Sequence, residues 1–109
     1  MLAVKSYIGR RLDMQHYKNV AMDRTIEVFD DQDNAFDLGS DDVIYEFFAK
    51  PHGTSLEEFN LGDATANLIV FDGQVLNYRP GIYYHECYQM SDASPSEKIL
   101  IFYGVSEII

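Results

Sequence analysis

Period-two alternation broken by turn residues divides the chain into short strands, with no internal repeat and no low-complexity linker. Residues 24–29 set Ile26 and Val28 against Thr25 and Glu27, and Asp30-Asp31-Gln32-Asp33-Asn34 then supplies a hairpin tip. Residues 43–50 are β-branched and aromatic, place Val43, Tyr45, Phe47 and Ala49 on one face, and stop at Pro51-His52-Gly53-Thr54. A helix capped at Ser40 competes for that stretch; its aromatic content and flanking turns favour a strand. The stretches 65–71 and 74–78 flank Asp72-Gly73, which predicts a two-residue hairpin. Residues 82–90 and 98–109 predict a second hairpin around a polar tip at 91–96. Ser55-Leu56-Glu57-Glu58 has capping-box spacing and predicts one helical turn. Upstream, residues 2–8 read as a strand, Gly9-Arg10-Arg11 interrupts it, and 12–20 lacks a clean period, as an extended arm or loop would. About seven short strands with regular turns imply an all-β sandwich or small barrel.

A length of 109 residues fits a single folding unit, divided into an N-terminal strand and arm (1–22) and a β-sandwich (23–109). Apolar residues make up 47% and charged residues 24%, a globular balance, and eight Tyr and seven Phe enrich the chain in strand and interface formers. No apolar run is long enough for a transmembrane helix, and the N-terminus lacks a signal-peptide core. The expectation is synthesis in the cytoplasm and no membrane partner.

The net charge of −10 is unevenly spread. In 1–22, Lys5, Arg10, Arg11 and Lys18 face only Asp13. In 23–63, twelve acidic residues meet Arg24 and Lys50 alone. Direct nucleic-acid binding needs basic surface and is disfavoured. The acidic stretch reads first as a solvated, solubilising surface; the sharper reading is that a basic arm on one copy meets an acidic face on the next, as a repeating assembly would use.

Little in the chain points to catalysis. His16, His52 and His85 form no paired-ligand spacing, and His85-Glu86 would point to opposite strand faces. A calcium loop begun at Asp31 would need Gly and Glu where Phe36 and Asp42 stand. There is no nucleophile elbow, phosphate loop or dinucleotide fingerprint. Cys87, the single cysteine, reads as a buried thiol, with His85 two residues away on the same strand face. No catalytic, cofactor-binding or metal-ligating residue is assigned, and the expectation is a protein that is not an enzyme and needs no cofactor.

The last hairpin is apolar on both faces. Tyr83, His85, Cys87 and Gln89 alternate with Ile82, Tyr84, Glu86, Tyr88 and Met90, and Ile99, Ile101, Tyr103 and Val105 alternate with Lys98, Leu100, Phe102 and Gly104. Either a loop or the N-terminal arm covers the second face, or another subunit does. The candidate protein interface is therefore Tyr84, Tyr88 and Phe102 together with Lys5, Arg10, Arg11 and Tyr17 of the arm.

The order of motifs resembles a known family. Residues 25–38 (TIEVFDDQDNAFDL), the strand at 43–53 with its Pro/Gly turn, and Pro80-Gly81-Ile82-Tyr83-Tyr84-His85-Glu86 followed by 98–105 (KILIFYGV) resemble the small immunoglobulin-like domains of phage and prophage structural proteins, including the N-terminal domain of baseplate upper proteins. His85 stands where that pattern usually has an aromatic, and 1–22 has no counterpart in it. The resemblance implies an immunoglobulin-like antiparallel β-sandwich and a non-enzymatic virion protein of the capsid, neck, tail or baseplate. It also implies other virion structural proteins as partners, homo-oligomeric or repeated copies, and a location in the virion. The acidic stretch supports a second expectation, a small acidic inhibitor of a nucleic-acid-binding host protein.

Overall fold

The segments with the clearest alternation form the strands at the centre of the molecule. The computed structural model describes residues 4–38, 42–63, 66–90 and 98–109, and among these are nine strands and no helix. They are β1 (Val4–Tyr7), β2 (Arg10–Arg11), β3 (Met14–His16), β4 (Asp23–Phe29), β5 (Asp42–Phe48), β6 (Ser55–Asp63), β7 (Leu68–Asp72), β8 (Gly81–Met90) and β9 (Lys98–Ile108). One sheet has the order β1-β4-β7; the other has the order β2-β9-β8-β5-β6, with β3 also on β9. Leu2, Ser40, Thr65 and the 91–96 tip lie outside the described residues.

The inner faces follow the predicted alternation. Ile26 and Val28 of β4 and Ile69 and Phe71 of β7 share one core with Val43, Tyr45 and Phe47 of β5 and with Cys87, Ile101 and Phe102 of the last hairpin. The two layers meet where the Tyr45 ring contacts Phe71 edge-on at 5.1 Å. Each fully buried side chain of this size contributes about 1.5–3 kcal/mol relative to exposure, so this single core carries the fold.

A bulge accounts for much of the two-faced appearance of the last hairpin. Cys87 pairs with Phe102 but Tyr88 pairs with Leu100, which leaves Ile101 as an extra residue on β9. Adjacent residues Ile101 and Phe102 are consequently both buried. Strict alternation assigns Phe102 to the outer face; the bulge turns it inward.

Two local signals are overridden. Asp72-Gly73 does not join paired strands, because β7 takes β4 as its neighbour and residues 74–80 leave the sheet. Gly73 N–H donates to the Met22 carbonyl and Met22 N–H to that of Gln74, while Leu76 is buried and Tyr78 reaches the Phe47 ring at 5.2 Å. Pairing Ile26 with Ile69 aligns two core residues, and the segment after the turn is drawn across to the other layer. Likewise Ser55–Glu58 is not a helical turn but the start of β6, paired along β5; the ladder outweighs a single capping box.

The N-terminal segment is extended, as expected, but it does not project from the domain. Its strands pair in parallel, β1 with β4 and then β2 and β3 with β9, whereas all other strand pairs are antiparallel. Gly9 supplies the left-handed turn (φ 72°) at which the chain changes sheets. Met14 and His16 are buried. Between β2 and β3 the chain bows out at Leu12-Asp13, and the Asp13 carboxylate accepts Val105 N–H (2.8 Å). Opposite this bow lies Gly104, where a Cβ would sit 2.6 Å from both the Leu12 carbonyl oxygen and Asp13 Oδ1.

Candidate functional site

An open groove of about 660 Å³ runs along β3. The N-terminal segment contributes Val4, Asp13, Gln15 and Tyr17, β4 contributes Arg24, and the last hairpin and its end contribute Ile82, Glu107 and Ile109. Four of these, Val4, Tyr17, Ile82 and Ile109, are large hydrophobics exposed to solvent, and Tyr17 is 67% exposed. Gathering exposed apolar residues at one concavity is the usual mark of an interaction surface.

Arg24 is the unexpected member. It pairs in register with Phe71, so it continues the inner-face series of Ile26 and Val28, yet it is a cation. Its Nη2 donates to the Gln15 carbonyl at 2.9 Å, and Gln15 Nε2 in turn donates to Glu107 Oε1 at 2.8 Å. The ion pairs among the described residues are Lys5–Asp33, Arg11–Asp13 and Lys98–Glu86, so Arg24 has no carboxylate partner there.

A buried polar network centres on His85. The Leu12 carbonyl can only accept, so His85 Nε2 carries the proton and donates to it at 2.6 Å. His85 Nδ1 then accepts from the Tyr45 hydroxyl at 2.8 Å, and the Tyr45 oxygen accepts from Ser106 Oγ at 3.3 Å. Burial lowers the His85 pKa to about 4, which keeps the ring neutral and this pattern intact. Burial raises the Tyr45 hydroxyl and the Cys87 thiol, so neither supplies an anion near neutrality. The network joins β5, β8 and β9 to the Leu12 bow and braces the N-terminal segment against the core.

The seven residues singled out from sequence do not form one surface. Lys5 is bound to Asp33 at 2.6 Å and lies over the Phe29 ring at 4.6 Å, which ties β1 to the acidic turn. Its pKa is raised, first by the hydrogen bond to Asp33 and then by that to Tyr7. Arg11 pairs with Asp13 at 2.9 Å, and this bond, followed by that from Val105, holds the Asp13 carboxyl below its ordinary value. Arg10 is exposed on β2, and Tyr17 is in the groove. Tyr84 is half-buried beside a small pocket of about 90 Å³ that also borders Phe48, His52 and Tyr103.

Tyr88 and Phe102 require correction as anchors. Tyr88 is covered by its own chain, with Lys98 Nζ 4.1 Å above its ring and its hydroxyl donating to Glu46. Phe102 is fully buried, 5.2 Å from the His85 ring. Sequence reasoning also missed Arg24, Ile82 and Ile109 as neighbours. Arg24 had a legible signal, a charge at an inner-face position of the 24–29 alternation; the other two are adjacent only through the register of β8 and β9.

The acidic stretch is partly consumed in building its own turn. Asp30 Oδ1 accepts the N–H groups of Gln32 and Asn34, each at 2.9 Å, and Asp33 takes Lys5 and the Tyr7 hydroxyl. Among the described residues no cluster of three or more His, Cys, Asp or Glu side chains is arranged to hold a metal, and no helix is long and apolar enough to cross a membrane. No protein-family model and no curated protein matches the chain.

Proposed function

We propose that the protein is a non-enzymatic virion structural protein of a bacteriophage or prophage, a β-sandwich subunit that engages neighbouring virion proteins or further copies of itself. The observation that carries the reading is the convergence of Val4, Tyr17, Ile82 and Ile109 at one groove, apolar surface that the described residues leave uncovered. The run β9-β8-β5-β6, with a parallel N-terminal strand on β9, supports the immunoglobulin-like form of the sandwich. The parallel β1–β4 pair departs from it. The acidic-inhibitor reading draws less support, since Asp30 and Asp33 already serve the turn.

The test is association. Light scattering and cross-linking with particle proteins should show a complex that Tyr17→Asp and Ile82→Asp together weaken at least about tenfold. Both side chains are exposed, so the thermal midpoint should stay within a few degrees. A strict monomer with no affinity for any particle protein removes the proposal.

A further inference from the structure

His16 is a second buried histidine, and its surroundings differ from those of His85. The residue is 4% exposed, yet neither Nδ1 nor Nε2 has a hydrogen-bond partner. A buried polar group left without a partner costs about 1–3 kcal/mol, and each such group calls for an explanation, such as stored strain, a chemical role, a water or an ion. His16 lines a cavity of about 110 Å³ that it shares with Arg24, Gln15, Tyr17 and Asp23. Three of these residues, Arg24, Gln15 and Tyr17, also line the larger groove, so the cavity lies next to it.

We propose that His16 and Arg24 form an oxyanion site at the inner end of the groove, which takes a carboxylate or phosphoryl group and leaves the apolar remainder of the ligand against Val4, Ile82 and Ile109. Arg24 is suited to the anion because its guanidinium is always charged, presents a planar fork of donors and has no carboxylate partner among the described residues. Of that fork, one Nη2 bond goes to the Gln15 carbonyl. Both His16 ring nitrogens are closed off within the fold, so binding includes a turn of the ring that brings an N–H to the anion. The cavity exceeds the roughly 30 Å³ share of a single water, so it has room for an oxyanion group. Asp23, on the same strand as Arg24, is exposed at the cavity and opposes the anion; His85 is near enough to act on His16 and is held neutral by burial.

Arrival of an anion reverses the local electrostatics. In its absence burial, and after it the Arg24 charge, lower the His16 pKa to about 4. A bound oxyanion neutralises Arg24 and favours imidazolium, so ligand binding and proton uptake by His16 are linked. The ligand would share Val4, Ile82 and Ile109 with a docked partner, so occupancy is measured on the unassembled chain and association with particle proteins separately.

The experiment follows the His16 imidazole resonances of the full chain by NMR, with sodium acetate and sodium phosphate as probes and sodium chloride at matched ionic strength as control. The expected result is a saturable shift with acetate, phosphate or both, and a rise of the His16 pKa by about one unit at saturation. Saturation by acetate alone assigns a carboxylate ligand and saturation by phosphate a phosphoryl group; both support the site. Arg24→Gln should weaken the probe about tenfold and Arg24→Lys should recover part of the loss. Acetate and phosphate that move His16 no further than chloride overturn the proposal, and this result needs no variant to fold.

Discussion

The two buried histidines have the same shift from the same main cause and opposite standing in the fold. Burial holds both near a pKa of about 4. His85 spends each ring nitrogen on a partner, Tyr45 on one side and the Leu12 carbonyl on the other, whereas His16 spends neither. The contrast shows that burial and a lowered pKa do not by themselves say what a histidine does. His85 fastens the N-terminal segment to the core, while His16 retains unmet hydrogen-bonding capacity that a fold gains nothing by keeping.

The contrast can be broken most severely by removing residues 1–18, which deletes His16 and the Leu12 carbonyl together. Met14 and the whole β2–β3 edge of β9 go with them, so the remaining chain should lose cooperative thermal unfolding by circular dichroism. A truncated domain with an unchanged melt would mean that the segment is an arm after all. Next in size is Gly104→Ala. The added methyl meets backbone at 2.6 Å on Leu12 and forces the bow away from His85. Overpacking of this kind should cost about 1–3 kcal/mol in urea unfolding, toward the upper end because the clash is with backbone.

Replacing the rings one at a time separates the two roles. His85→Phe takes the side-chain donor from the Leu12 carbonyl and leaves the Tyr45 hydroxyl with Ser106 alone, at roughly 1–3 kcal/mol for the stranded carbonyl. His16→Phe strands no mapped partner and should be neutral or slightly stabilising in the same assay. Stability against pH gives the finest discrimination. The unfolded chain binds protons at these histidines below about 6.5 and the folded chain only near 4, so their contribution is complete above pH 6.5 and falls as the pH drops toward 4. Each shift corresponds to roughly 3 kcal/mol at most. His16→Phe should remove about half of that acid sensitivity; an unchanged pH profile would mean that His16 is already paired or solvated in solution. Asp13 and Asp33, with lowered values, add their loss only below the ordinary carboxylate range.

How far these features could be seen in the sequence depends on whether they are local. β4, β5 and the β8–β9 hairpin were legible because Ile26/Val28, Val43/Tyr45/Phe47 and the long apolar pair each state their own period. The Asp72-Gly73 turn and the Ser55 capping box were equally plain, and each misled because the partner strand, not the dipeptide, decided the pairing. The bulge at Ile101 leaves no mark in composition, and it alone moved Phe102 from candidate interface to core. Residues 12–20 looked aperiodic, although Met14-Gln15-His16 alternates buried, exposed, buried. The groove was least legible. Of the seven residues chosen from sequence only Tyr17 lines it, because its walls come from β1, β3, β4, β8 and β9 and no linear pattern records that meeting.

The parallel seat of β2 and β3 on β9 also sets an order of events during synthesis. Asp13 and Gln15 leave the ribosome 92 residues ahead of Val105 and Glu107, the residues that receive them. Until the last strand emerges, the β2–β3 stretch has no ladder and the core lacks its final wall. Contacts this distant in sequence are slow to form, and an open strand edge in the meantime is a site for mispairing. The domain therefore closes only once β9 has emerged, and a nascent chain stalled before residue 98 should remain sensitive to protease along its N-terminal stretch.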